Sequence, residues 1–122
     1  MRVTKEIAIA LKEVGYDVPC NDYYMTNGEK GHGGYFNWND GTRSSVICSA
    51  PTVYECIEWL DSKGVYVYVE PFDMGVPNLK WKYTIKTDKR VRIDSVEPFS
   101  TRLSAYTAGL PIAIDYIKNK KG

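Results

Sequence analysis

Residues 49–70 read SAPTVYECIEWLDSKGVYVYVE, and within them a helical period gives way to a strand period across one glycine. Pro51 bars helix before it, Thr52 serves as the cap, and Glu55 three residues later completes a capping box. Val53, Cys56, Ile57 and Leu60 then recur at helical spacing until Gly64 ends the pattern. From there the period is two: Val65, Val67 and Val69 alternate with Tyr66, Tyr68 and Glu70. The stretch is therefore a half-buried helix followed by a half-buried strand, and a core that uses both must layer helix on sheet.

Toward the C terminus, PFDMGVPN turns the chain, with Pro71 and Pro77 excluded from a central ladder. Leu79, Trp81, Tyr83 and Ile85 next alternate with Lys80, Lys82, Thr84 and Lys86, the clearest half-buried strand of the sequence. After Asp88-Lys89 a third strand sets Val91 and Ile93 against Arg92 and Asp94. With residues 65–70 these make an antiparallel meander whose apolar face needs helices to cover it. The last helix starts near Ser100 or Thr101 and carries Leu103, Tyr106, Thr107, Leu110, Ile114 and Ile117 on one stripe. Pro111 inside it removes the bond to the Thr107 carbonyl, which predicts a kink or break near Ala108.

Toward the N terminus, Thr4 caps a helix from Lys5 to Val14 with Ile7, Leu11 and Val14 on one face, and Gly15 stops it. Asp22 to Thr26 reads as a short strand ended by Asn27-Gly28. Residues 27–34, NGEKGHGG, hold four glycines in eight and read as a loop or hairpin tip. Tyr35 to Trp38 is then a strand, Asn39-Asp40-Gly41 a tight turn, and Ser45 to Ser49 a return strand. The expected fold is α+β, in the order α-β-β-(β)-α-β-β-β-α. It has an antiparallel sheet of about four to six strands, with two or three helices mainly on one face.

A chain of 122 residues is near the modal domain size, so residues 1–122 are expected to form one α+β domain. The net charge of +1 argues against bulk electrostatic binding to nucleic acid or an anionic membrane. Charge is unevenly placed, however. Residues 1–64 hold six Lys or Arg against nine Asp or Glu, whereas residues 65–122 hold ten against six. Six of those ten cations lie between Lys80 and Arg92, with only Asp88 opposing them. No long apolar run reads as a signal peptide or a membrane span, and Cys20, Cys48 and Cys56 form an odd set that suits reduced thiols. The expected setting is cytoplasmic.

Side chains with catalytic potential lack the company that chemistry needs. His32 would require a fixed carboxylate as a general base, or further ligands at metal spacing, and reads instead as a solvated loop histidine. Cys48 precedes a helix start and could be an activated nucleophile, but its alternation with Val46 reads as strand packing, and Cys56 lies on the apolar helix stripe. The glycine-rich segment is followed by no Gly-Lys-Ser/Thr, and no third glycine completes a dinucleotide fingerprint. Glu55, Glu58 and Asp61 could pair as carboxylates for acid and base work, but with Val53, Ile57 and Leu60 facing inward they read as the wet face of their helix. No cofactor or metal is expected, and no catalytic residue is assigned.

What stands out is the other side of the meander. If Val65, Val67 and Val69 face the helices, Tyr66 and Tyr68 face away, joined by Lys80, Lys82, Lys86 and Arg92. Exposed tyrosine among lysine suits a protein partner or a homodimer interface. It also suits a single-stranded nucleic-acid platform, where bases stack on rings. A plain solvated face, with tyrosines lying along lysine stems, accounts for the same letters. The first reading is a non-enzymatic accessory protein that binds a protein through this face. Single-strand binding is the alternative, and a small enzyme using Cys48 or His32 comes third.

The blocks LKEVGYDVPCNDYY, SAPTVYECIEWLDSKGVYVYVEPF and AYTAGLPIAIDYI resemble a family of small uncharacterised proteins of gut anaerobic bacteria and their bacteriophages. The shared positions are structural punctuation: Gly15, Pro19, Cys20, Pro51, Thr52, Trp59, Leu60 and Gly109. The resemblance implies an accessory protein of a bacterium or phage and brings no activity or functional residue. Pro111 and the longer glycine-rich segment depart from the family pattern.

Overall fold

Thr52 and Glu55 form the capping box that their spacing implies. The Thr52 amide donates to Glu55 Oε1 at 2.8 Å, and the Glu55 amide donates to Thr52 Oγ1 at 3.0 Å. The computed structural model describes residues 1–72 and 80–121, without the side chains of Lys120 and Lys121. Its elements are α1 (Lys5–Glu13), β1 (Cys20–Met25), β2 (Lys30–Phe36), β3 (Val46–Ser49), α2 (Val53–Ser62), β4 (Val65–Pro71), β5 (Trp81–Thr87), β6 (Arg92–Asp94) and α3 (Arg102–Lys121). This is an α+β fold in the expected order. Its six strands are shared between two antiparallel three-stranded sheets, ordered β2-β1-β3 and β4-β5-β6, so each sheet is smaller than the four to six strands expected. The turn through 73–78, Pro77 with it, and the strand position of Leu79 lie outside the described residues.

The chain divides into two compact units, Met1–Trp59 and Leu60–Gly122. In the first, Thr4 Oγ1 accepts from the Ile7 amide and caps α1, whose Ile7, Ala8 and Leu11 are buried. The N-terminal segment runs beside residues 51–53: the Val3 amide donates to the Pro51 carbonyl, and the Val53 amide to the Met1 carbonyl. Only the start of the glycine-rich segment, residues 27–29, is the hairpin tip, and β2 continues through Gly31, Gly33 and Gly34, so Tyr35 and Phe36 end this strand instead of opening their own. Two of these glycines are covered by rings, whereas a Cβ on Gly33 would meet nothing within 4 Å. A Cβ on Gly31 would stand 2.2 Å from the Tyr23 ring, and one on Gly34 2.4 Å from the Phe36 ring.

In the second unit, Gly64 leads from α2 into β4 at φ 76°, a left-handed conformation that favours glycine, and its carbonyl accepts from the Asp88 amide. β5 is central. Val65, Val67 and Val69 pair with Thr87, Ile85 and Tyr83, and Ile93 pairs with Ile85, which sets one apolar face. Pro71 ends the edge strand β4 opposite Trp81, a position where its missing N–H costs no central ladder bond. Beyond β6 the chain returns alongside β5, where Trp81 and Phe99 exchange backbone bonds of 2.8 Å.

α3 packs on β4 and β5. Thr101 caps it, its Oγ1 accepting from the Ser104 amide at 3.0 Å. The helix is unbroken through Pro111, contrary to a split. Its buried face also differs from the large-residue stripe expected. Ala105, Gly109 and Ala113 are buried with Leu110, Ile114 and Ile117, whereas Leu103, Tyr106 and Thr107 are half-buried. The small residues let the helix approach the sheet closely, since a Cβ on Gly109 would lie 2.9 Å from Tyr83 Cγ.

Candidate functional site

Strand alternation and register assemble the outer face of the second sheet. With the valines of β4 on one side, Tyr66, Tyr68 and Glu70 stand on the other. Their direct partners are Lys86, Thr84 and Lys82, and across β5 Lys86 and Thr84 face Arg92 and Asp94. The result is three cross-strand rows: Tyr66-Lys86-Arg92, Tyr68-Thr84-Asp94 and Glu70-Lys82. The ladder reaches one residue further, where the Phe72 amide donates to the Lys80 carbonyl, so Lys80 lies at the end of the face and outside these rows. Tyr68 is 50% exposed and Tyr66 only half-buried, so one ring of the expected pair is openly presented.

The cations are not bare. Lys82 Nζ lies 3.4 Å from Glu70 Oε1, and Arg92 Nε donates to Asp94 Oδ2 at 3.0 Å. Thr84, which the alternation put on the wet side, is buried on this face and donates its hydroxyl to Asp94 Oδ1 at 2.7 Å. The hydrogen bond from Arg92 leads the influences that hold the Asp94 carboxyl below its ordinary value. Lys86 Nζ sits 5.6 Å from the centre of the Tyr68 ring. Tyr68, Val69, Glu70, Thr84, Lys86 and Arg92 line a shallow depression of about 310 Å³.

A second polar cluster lies in the first unit. Asp22 and His32 are direct cross-strand partners, and His32 Nδ1 is 2.5 Å from Asp22 Oδ1. The same carboxylate accepts from Arg2 Nε. Partial burial alone would raise the Asp22 carboxyl, but the bonds from His32 and Arg2 outweigh it and hold the group below its usual value. His32 is therefore solvated as expected, but it is a strand residue with a fixed carboxylate rather than a loop histidine. The strand assignment hidden by the glycines is what would have revealed it. As an ionised carboxylate can only accept, Nδ1 donates to it, from a side chain that is 75% exposed.

No protein-family model, curated protein or solved structure matches this chain.

Half of a general-base arrangement is thus present at His32. Cys20, Cys48 and Cys56 are free and buried. Burial pushes the Cys48 thiol up to about 11 and the Cys56 thiol up to about 12, which leaves both protonated near neutral pH. Among the described residues, no group of three or more His, Cys, Asp or Glu side chains is placed to hold a metal ion. Nor is any helix there long and apolar enough to cross a membrane.

Proposed function

We propose that this protein acts by binding rather than by catalysis, as an accessory protein of a bacterium or phage that engages a protein partner through the outer face of the β4-β5-β6 sheet. The observation that carries this reading is the half-exposed Tyr68 ring, held beside a depression between two ion pairs. Tyrosine supplies a large amphipathic contact area with few rotatable bonds, and aromatic anchors ringed by polar groups dominate protein interfaces. Single-strand binding would use the same residues. Glu70 and Asp94 weigh against it, because they set carboxylates within the rows along which phosphates would have to run.

The test is photocrosslinking in cells from a benzoylphenylalanine at position 68, with position 54, another exposed tyrosine, as control. The expected result is one discrete protein adduct from position 68 and none of that mass from position 54. Adducts to nucleic acid alone, or the same adducts from both positions, would overturn the reading.

A further inference from the structure

The proposed face carries an unbalanced charge that specifies what its partner must present. Lys86 and Arg92 are direct cross-strand partners, and like charges so placed repel each other. Arg92 is offset within its own strand by Asp94, which takes Nε at 3.0 Å and Nη2 at 3.4 Å and leaves the remaining guanidinium N–H groups for a further acceptor. Lys82 is offset by Glu70. Lys86 has no carboxylate among the described residues. Its ammonium rests by the Tyr68 ring, a contact weaker than a charge-assisted hydrogen bond.

We infer that this depression receives a single carboxylate side chain, an Asp or Glu of the partner protein, bound between Lys86 and Arg92 with its neighbouring apolar residue laid on Tyr68. The inference rests on the binding reading above and deepens it. A carboxylate there removes the Lys86–Arg92 repulsion and satisfies both cations through charge-assisted hydrogen bonds. The volume of about 310 Å³ has room for a side chain or two rather than a folded domain. Asp94 ends the Tyr68 row and Glu70 begins the next, and both repel a second anion, so an isolated acid fits where a run of phosphates or a polyacidic tail does not. Complementarity to one charge also favours specificity over bulk attraction.

The experiment is selection of a random peptide library displayed on phage against the immobilised full chain, followed by affinity measurement on Lys86→Gln, Lys86→Arg and Tyr68→Ala. The expected peptides carry one Asp or Glu beside an aromatic or branched residue. They should bind Lys86→Gln about tenfold more weakly and Lys86→Arg within about threefold of the parent, the loss and rescue of one charge-assisted contact. Tyr68-dependent peptides that lack an acid, or that bind Lys86→Gln unchanged, would overturn this inference and leave the binding reading standing. Selection that yields no Tyr68-dependent peptide, or a thymidine oligonucleotide that binds more tightly than any peptide, would overturn both.

Discussion

The Lys86 ammonium and the Tyr68 ring lie 5.6 Å apart on the outer face of β4 and β5, one diagonal step across the ladder in which Tyr68 pairs with Thr84. Diagonal neighbours are within reach of long and aromatic side chains, but the contact is exposed to water and contributes little to folding. Tyr68→Ala and Lys86→Gln should therefore each change unfolding stability by less than about 1 kcal/mol, as expected for exposed positions. Urea titration of the two variants checks this, and a larger loss at Tyr68 would mean that the ring is a structural element of the sheet.

Asp22 ties the N-terminal segment to β2 through Arg2 and His32, and its carboxyl is held below the ordinary value by those bonds. A depressed carboxyl contributes stability that is present above its unfolded value, roughly pH 3.9, and is lost as pH falls through the lower folded value. Asp22→Asn should thus be less stable than the parent at pH 7, with the difference shrinking as the parent loses stability below about pH 4. Urea midpoints collected between these pH values give the comparison. A difference that stays constant with pH would contradict an ionised Asp22 at the centre of the cluster.

Gly109 faces Tyr83 so closely that an added Cβ would stand 2.9 Å from Cγ and 3.2 Å from Cβ of that side chain. Alanine would gain about 1 kcal/mol of helix propensity, yet overpacking costs about 1–3 kcal/mol, and the clash is with the root of the tyrosine rather than its mobile tip. Gly109→Ala should therefore lower stability, by up to about 2 kcal/mol net. Thermal unfolding of the variant would expose the opposite outcome, a gain, which would show that α3 can retreat from β5 without loss.

The three thiols should behave as core groups. With Cys48 near 11, about one molecule in a thousand carries the thiolate at pH 8, and burial restricts reagent access further. A chromogenic disulfide reagent should label none of them in the native protein at the rate of a free thiol, and all three once urea unfolds the chain. Rapid native labelling of Cys48 would reopen the nucleophile reading.

Much of the architecture was legible because local signals agreed. The capping box at Thr52, the stop at Gly64 and the alternation on either side of Lys80 each had one structural solution, and the element order followed from them. β2 was hidden because glycine carries no side-chain period: the rings that cover Gly31 and Gly34 come from Tyr23 and Phe36, and only the fold brings them there. With β2 hidden, the pairing of Asp22 with His32 was hidden too. The buried face of α3 was misjudged for a related reason. Ala105, Gly109 and Ala113 are small, so they mark close helix-to-sheet approach rather than hydrophobic weight. Alternation alone was enough to set Tyr66, Tyr68, Lys82, Lys86 and Arg92 on one side of the sheet, whereas Lys80 falls outside the cross-strand rows. The ion pair of Lys82 required cross-strand register, which places Glu70 within reach, whereas Arg92 and Asp94 stand two residues apart in one strand.

The most direct measurement of the central claim is the affinity of the protein crosslinked at position 68 for the parent chain and for Tyr68→Ala. An anchor ring at the centre of an interface should cost about 2 kcal/mol or more on truncation, so the variant should bind at least about thirtyfold more weakly while unfolding at the same urea concentration. Equal affinity for parent and variant would contradict the account.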